Sequence, residues 1–259
     1  MDPGYIKTFF SFLFGLIIGS FLNVCIYRIP GSKSIITPSS SCPECGERIR
    51  FYDNIPLISF IILFGKCRHC RKPIPIHYPV VELITGLLSI ALFLRYGFRP
   101  EYFLFLLFAA CLVIITFVDL HHQIIPEIIS LPCILIGLAI SVFKLNNISW
   151  LDSLIGIIAG GGFFYAFARM FKWLRGKEGL GGGDVALLAM LGAWMGWRAL
   201  PFIILVSSLA GTLIGGSSLL FGGRKLSEKI PFGPFLVLGA FCYFFFGSQI
   251  INWYYRLLQ

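Results

Sequence analysis

Apolar residues occur along this chain in eight long runs separated by shorter polar segments. The runs cover residues 8–28, 79–95, 101–118, 127–144, 151–172, 184–198, 200–222 and 232–254. Most of them reach the ~20 residues with which an α-helix crosses ~30 Å of hydrocarbon. The sixth run is short and rich in glycine, which suits a tilted or partly buried span. The pattern predicts an all-α polytopic membrane protein with about eight transmembrane helices.

The composition agrees with this interpretation. Of the residues, 57% are hydrophobic and 13% are charged, and the mean hydropathy is +0.85. Soluble domains of this size carry about 25% charged residues, and half that value in a chain with repeated apolar runs indicates a membrane protein with several spans. We expect three segments: a first transmembrane helix at 1–28, a polar module at 29–78 and a transmembrane core at 79–259.

Basic residues are distributed unevenly between the two sets of loops. Segment 29–78 shares its side with loops 119–126, 173–183 and 223–231. That side holds Arg28, Lys33, Arg48, Arg50, Lys66, Arg68, Arg71, Lys72, Arg169, Lys172, Arg175, Lys177, Arg224, Lys225 and Lys229. The opposite side holds Lys7, Arg95, Arg99, Lys144, Arg198 and Arg256. Because basic loops stay cytoplasmic, we expect segment 29–78 in the cytoplasm and both termini outside it. The net charge of +9 could indicate nucleic acid or acidic lipid as a partner, but we interpret it first as topology. We expect membrane lipid and no nucleic acid among the partners.

Four of the eight cysteines form two Cys-x-x-Cys pairs in the polar module. Cys42 and Cys45 lie in "CPECGER", and Cys67 and Cys70 lie in "GKCRHCRKP". Two such pairs at this separation predict a tetrahedral Cys₄ zinc site, and Gly46 fits the first tight turn. Two disulfides are the alternative, but they are rare in a reducing cytoplasm. The zinc would be structural, because a module of about fifty residues builds no sufficient core and four thiolates leave no open coordination position.

Two aspartates at the ends of apolar runs are the candidate catalytic residues. Asp119 ends the third run and Asp184 opens the sixth, both at the predicted cytoplasmic edge. A carboxylate beside hydrocarbon is costly and by default marks a functional site. Two aspartates in contact can share one proton, so that one activates water while the other polarises a scissile carbonyl. Gly181, Gly182 and Gly183 would let a substrate backbone approach Asp184, or would form a flexible or small-residue packing face.

Other functions remain open from these residues alone. A proton-coupled transporter would use Asp119 and Asp184 as a relay, although transporters hold such acids nearer the membrane midplane. A non-enzymatic assembly factor would use the zinc module to dock a partner. Glu82, just inside the second run, is a lone acid that needs a partner.

Six segments of the chain resemble one family, the type IV prepilin peptidases of the bifunctional kind. They are "GSFLNVCIYRIP" (19–30), "CPECGERIRFYDNIPLISF" (42–60), "CRHCRKPIPIHYPVVELITG" (67–86), "DLHHQIIPEIISLP" (119–132), "GLGGGDVALLAMLGAWMGW" (179–197) and "IPFGPFLVLG" (230–239). The resemblance implies that Asp184 is the aspartate of the family's GxGD motif and Asp119 its partner. Two positions depart from the usual pattern, Ala186 where lysine is frequent and Glu127 where Asp or Asn is usual.

The resemblance also implies an activity, a cofactor and partners. Family members reside in the bacterial inner membrane and cut the basic leader of prepilins and type II secretion pseudopilins on the cytoplasmic side. The cut follows a glycine and usually precedes a phenylalanine. They then methylate the new N-terminus with S-adenosylmethionine, and the four-cysteine loop accompanies methylation, so peptidase activity alone is the alternative. No Rossmann fingerprint marks a donor site, and Glu82 with the cysteine loop is our only candidate for it.

Overall fold

The computed structural model describes residues 3–146, 148–175, 181–221 and 231–257. The regular secondary structure of these residues is helical, with two isolated β-bridges and no longer strand, so the all-α prediction is confirmed. A 3₁₀ turn occupies Phe51–Asp53 and a π-helical segment Ile158–Phe163. The α-helices are α1 (Pro3–Arg28), α2 (Ile58–Ile62), α3 (His77–Tyr96), α4 (Pro100–His122), α5 (Glu127–Val142), α6 (Trp150–Ile157), α7 (Phe164–Arg175), α8 (Gly182–Met195), α9 (Ala199–Phe221) and α10 (Gly233–Leu257).

Each apolar run of the sequence coincides with a helix or a continuous helical stretch. Five stretches are long and apolar enough to cross a membrane: Gly4–Arg28, His77–Tyr96, Pro100–His122, Trp150–Met170 and Ala199–Ser217. Two of the remaining runs form the short apolar helices α5 and α8, and in α10 the apolar stretch is Gly233–Gly247. A count of eight spans therefore stays a prediction. Parts of two predicted cytoplasmic loops, 176–180 and 222–230, lie outside the described residues.

The chain divides into two compact units, Met1–Ile114 and Ile115–Gln259. This division differs from the expected boundaries at residues 28 and 78, which stay predictions.

In the N-terminal unit, α1 and α3 approach closely along small residues. A Cβ on Gly15 would lie 2.6 Å from the Ser89 Cβ, and a Cβ on Gly19 would lie 2.6 Å from the Glu82 Cα. The buried Ser11 and Ser89 hydroxyls also hydrogen-bond each other (3.0 Å). Close helix contact through small residues is typical of membrane proteins, and here it holds Glu82 against α1.

In the C-terminal unit, α8 is enclosed by its neighbours, and every residue from Leu187 to Met195 is buried. A Cβ on Gly156 of α6 would lie 2.3 Å from the Gly192 carbonyl oxygen, and one on Gly192 would lie 2.2 Å from the Gly156 oxygen. The Trp194 indole donates a hydrogen bond to the Cys133 carbonyl of α5 (2.8 Å). The glycine content of the sixth run thus has a packing cause.

Candidate functional site

The end of α4 and the start of α10 meet at Asp119. This residue lies in the last turn of α4, and its Oδ2 accepts a hydrogen bond from the backbone N–H of Gly233, the first residue of α10 (3.0 Å). The Asp119 side chain is buried. Asp184 lies in the first turn of α8 and is partly buried. Both aspartates predicted from the sequence therefore stand at helix ends within the C-terminal unit.

Ile125 connects these helix ends. A Cβ on Gly183 would lie 2.7 Å from the Ile125 Cβ, and a Cβ on Gly233 would lie 3.3 Å from the Ile125 Cδ1. Gly233 in turn contacts Asp119, and Gly183 adjoins Asp184. The two carboxylates are close enough to repel each other electrostatically. Among the described residues neither forms an ion pair with a basic side chain. Two close carboxylates without a counter-ion tend to share a proton.

The glycines before Asp184 differ in their surroundings. A Cβ on Gly182 would meet nothing within 4 Å, whereas one on Gly181 would lie 3.2 Å from the Asp184 Oδ2. Gly183 packs against Ile125. This is the role in a small-residue packing face that the sequence left open as an alternative. Close approach of a substrate backbone at Gly181, Gly182 and Gly183 stays a prediction. Gly179 and Leu180, which open the same segment, lie outside the described residues.

Gly233 is a site residue to which the sequence assigned no role. It lies in the "IPFGPF" segment, one of the six that carry the family resemblance. It acts through a backbone N–H, and a missing side chain gives no chemical signal in a sequence. A Cβ at this position would lie 2.6 Å from the Asp119 Oδ2, so only glycine fits without displacing the carboxylate.

The four paired cysteines form one cluster in the N-terminal unit. The Sγ atoms of Cys42, Cys45, Cys67 and Cys70 all lie within 4.8 Å of one another, and those of Cys42 and Cys70 are 3.9 Å apart. Tetrahedral Zn–S bonds of ~2.3 Å give sulfur–sulfur distances of about 3.8 Å. All four thiols are free, so the disulfide alternative is not formed. The cluster is arranged to hold a metal ion.

The first Cys-x-x-Cys pair sits on a tight, hydrogen-bonded turn. The Cys42 N–H donates to the Glu47 carbonyl (2.9 Å), and the Gly46 N–H donates to the Cys42 carbonyl (2.9 Å). Gly46 has φ of +73°, the left-handed region that glycine enters without cost. The expectation that Gly46 serves this turn is confirmed.

The second pair repeats the same turn. The Cys67 N–H donates to the Lys72 carbonyl (2.9 Å), and the Arg71 N–H donates to the Cys67 carbonyl (3.1 Å). Arg71, with φ of +58°, stands where the first turn has glycine. Hydrogen bonds led by that of the Cys70 backbone N–H lower the pKa of the Cys67 thiol to about 7, which favours the thiolate that a metal binds.

Ion pairs add further links within the cysteine module. Arg68 binds Asp53 through two hydrogen bonds, of 2.8 and 2.6 Å, and Lys72 pairs with Glu44. The Arg68 guanidinium holds the pKa of the Asp53 carboxyl below its usual range.

Glu82 has the partner that its position required. Its side chain is buried, and its Oε2 accepts a hydrogen bond from the Leu57 N–H (2.8 Å). Beside it lies a cavity of about 260 Å³ between α1, the cysteine module and the start of α3. The cavity lies entirely in the N-terminal unit.

Comparison with known proteins gives a consistent result for both units. Residues 13–96 match the bacterial peptidase A24 N-terminal domain, and residues 106–216 match the type IV leader peptidase family. A prepilin leader peptidase/N-methyltransferase of Aeromonas hydrophila is 38% identical over 94% of this chain and 92% of its own length. The protein of the same name from Pseudomonas aeruginosa is 37% identical over the same shares. That of Myxococcus xanthus is 42% identical over 86% of this chain and 67% of its own length. No solved structure matches the chain.

Proposed function

The chain belongs to the type IV leader peptidase family, and on that basis we propose that it cleaves the basic leader of type IV prepilins and type II secretion pseudopilins and then methylates the new N-terminus. The cut would follow a glycine and precede a phenylalanine, on the cytoplasmic side of the inner membrane. The observation that supports peptidase chemistry best is the meeting of Asp119 and Asp184 at converging helix ends.

Asp119 and Asp184 would act as a proton-sharing dyad. The ionised carboxylate takes a proton from water, and the oxygen of that water attacks the scissile carbonyl carbon. The protonated carboxyl donates to the carbonyl oxygen, and the C–N bond breaks as the leaving amine gains a proton. The Gly233 N–H holds the Asp119 carboxylate in one orientation for these transfers. Such a dyad titrates as a unit, so its apparent pKa values belong to the pair.

Zinc is the metal that the Cys₄ cluster fits. Cys42, Cys45, Cys67 and Cys70 would hold it as four thiolates, and the sulfur spacing suits its tetrahedral preference. All coordination positions would then be filled, so the metal serves folding of the module. Removal of zinc should unfold this module, as happens in other small domains that bind zinc.

S-adenosylmethionine supplies the methyl group when it is bound. The N-terminal unit offers it a buried acceptor without a partner, the Oδ1 of Asn23, which lines the same cavity as Glu82. Hydrogen-bond acceptors of this kind fit S-adenosylmethionine, which carries an ammonium group, hydroxyl groups and an amino group. Glu82, the residue singled out in the sequence, therefore remains the candidate for this role.

The enzyme would work with its active site facing the cytoplasm. Fifteen of 21 basic residues belong to the side that carries the ends of α4 and α8, and basic loops stay cytoplasmic. The leader of a prepilin is itself basic and cytoplasmic, while the pilin helix that follows it lies in lipid. An edge-of-membrane dyad suits such a substrate.

The test uses purified enzyme in detergent with a prepilin, S-adenosylmethionine and mass spectrometry of the product. We expect Asp119→Asn and Asp184→Asn each to lower the cleavage rate by 10³-fold or more, the order seen when a catalytic group is removed. Asp152→Asn is the matched control, since Asp152 binds Ser149 and Trp197 at the other end of the C-terminal unit's α8. It should cleave at close to the wild-type rate.

Each product mass has a separate meaning. A cleaved product that carries one additional methyl group supports both activities. A cleaved but unmethylated wild-type product leaves a peptidase alone. Cleavage that survives in either dyad variant means that the dyad is misassigned. Absence of cleavage by the wild-type enzyme would favour the transporter or assembly-factor alternatives.

A further inference from the structure

We propose that the cavity beside Glu82 is the S-adenosylmethionine site, with the carboxylate of Glu82 and the amide oxygen of Asn23 as its polar anchors. The inference rests on the proposed methyl transfer and gives it a location. At about 260 Å³ the cavity is close to the ~300 Å³ at which pockets for small ligands begin, and exposed residues flank its mouth.

The side chain of Asn23 presents an unpaired hydrogen-bond acceptor to the cavity. Its side chain is 5% exposed, its Nδ2 donates to the Tyr78 carbonyl (3.0 Å), and its Oδ1 is buried without any hydrogen-bond partner. Leaving a buried polar atom unpaired costs about 1–3 kcal/mol. The residue lines the cavity, so a donor group on a bound molecule would satisfy this oxygen.

The side chain of Glu82 is a buried acid that forms no ion pair in the described part of the chain. Its side chain is 9% exposed and lines the same cavity. The ion pairs in the described part of the chain join Asp53 to Arg68 and Glu44 to Lys72, so Glu82 has none. A buried carboxylate that lacks a cation is expensive. The Leu57 N–H and the Ser20 hydroxyl both interact with this carboxylate. It keeps acceptor capacity beyond these two groups, and a cationic ligand would compensate its charge.

The backbone of Leu57 is strained where it lines the cavity. It has φ of +59° and ψ of −46°, and the Ile58 N–H donates to the Pro56 carbonyl across it (2.6 Å). This is a γ-turn of the rare, strained form. Glu82 holds the N–H of Leu57 in that conformation, and Leu57 lines the cavity. Strain of this kind clusters at ligand-binding sites.

The chemistry of the lining favours the methyl donor over a peptide. S-adenosylmethionine carries a sulfonium, an ammonium, two ribose hydroxyls and an amino group, which match the Glu82 carboxylate and the unpaired Asn23 oxygen. Its carboxylate matches the basic side chains of the same lining, among them Arg48. The new N-terminus of a cleaved pilin offers one ammonium, but it is attached to a helix that such a cavity does not admit.

The experiment is photolabelling of the wild-type enzyme with 8-azido-S-adenosylmethionine, followed by mass spectrometric mapping. We expect label within residues 20–28, 40–60 or 72–82, removed by excess S-adenosylmethionine but not by a mature pilin peptide. Label within residues 115–257, competition by the peptide alone or absence of saturable label would each overturn the site. Methylation of the peptide is assayed in the same samples, so an active enzyme labelled elsewhere refutes the site and spares the proposed function.

Calorimetric titration with S-adenosylmethionine gives the second measurement. Asn23→Ala and Glu82→Gln should each weaken binding about tenfold, since each loses a hydrogen bond to a polar or charged group. Asn146→Ala and Glu101→Gln are the matched controls, because they remove another buried asparagine and a second glutamate, neither of which lines the cavity. Equal affinity in all four variants would refute the assignment, and zinc content with thermal unfolding shows that each is folded.

Discussion

Gly233 is the residue whose replacement tests the geometry of the dyad most directly. In Gly233→Ala the new Cβ would lie 2.6 Å from the Asp119 Oδ2, so the carboxylate must move and its hydrogen bond must lengthen or break. Hydrogen bonds to charged groups contribute about 1.5–3 kcal/mol, which predicts a ten- to hundredfold fall in the single-turnover rate of leader cleavage. Substrate affinity should change little.

Gly211→Ala provides the control for that change. A Cβ on Gly211 of α9 would make an ordinary contact, 3.6 Å from the Phe235 ring. The cleavage rate of this variant should stay near that of wild type. If Gly233→Ala also cleaved at the wild-type rate, the N–H of Gly233 would have no part in orienting Asp119.

The sequence identifies a site residue only when its side chain is chemically distinctive. Asp119 and Asp184 could be predicted because an acid at the end of an apolar run is rare and expensive. Gly233 contributes a backbone N–H, and Asn23 is an ordinary polar residue inside the first apolar run. Neither has a pattern that separates it from its neighbours until the fold brings it beside a carboxylate or a cavity.

At the scale of elements, the two cysteine turns allow a controlled test of backbone strain. Gly46 and Arg71 occupy equivalent positions with φ of +73° and +58°. Gly46→Ala forces a Cβ into the left-handed region, at a cost of about 1 kcal/mol. Because nothing lies within 4 Å of that Cβ, the cost is purely conformational. We expect zinc to leave this variant about fivefold faster, measured with a chromogenic chelator.

Arg71→Ala is the comparison for this prediction. It exchanges one L-residue for another at a left-handed position, so the backbone strain is the same before and after. Zinc release should therefore match wild type. Equal acceleration in both variants would mean that side-chain contacts, and not φ, limit the stability of the turns.

The helices could be predicted from the sequence because contact with lipid or with other helices requires apolar residues. The apolar runs located all eight helical stretches. For α8, however, the pattern does not distinguish a helix that faces lipid from one enclosed by other helices. Its 14 residues are too few to cross ~30 Å at 1.5 Å per residue, and enclosure by α5, α6 and the π-helical segment takes the place of lipid contact. Gly192 and Gly156 make that enclosure possible, and their pairing depends on contacts between distant segments.

At the scale of the whole molecule, the uneven distribution of basic residues implies a membrane orientation that labelling can measure. Lys33 lies in the module predicted to be cytoplasmic, and Arg99 lies between α3 and α4 on the opposite side; both are exposed. With a membrane-impermeant maleimide on spheroplasts, Arg99→Cys should react at once. Lys33→Cys should react only after the membrane is permeabilised. The native zinc-module cysteines are expected on the protected side, so they add no signal before permeabilisation.

The result bears on the chemistry as well as on the topology. An odd number of crossings between residues 33 and 99 is required for the two sites to differ, and α3 alone supplies it. Reaction of Lys33→Cys in intact spheroplasts would place the cysteine module in an oxidising compartment, where disulfides would compete with zinc. It would also turn the ends of α4 and α8 away from the basic leader, which the enzyme must meet in the cytoplasm. Protection of Lys33→Cys is therefore a condition for the proposed cleavage.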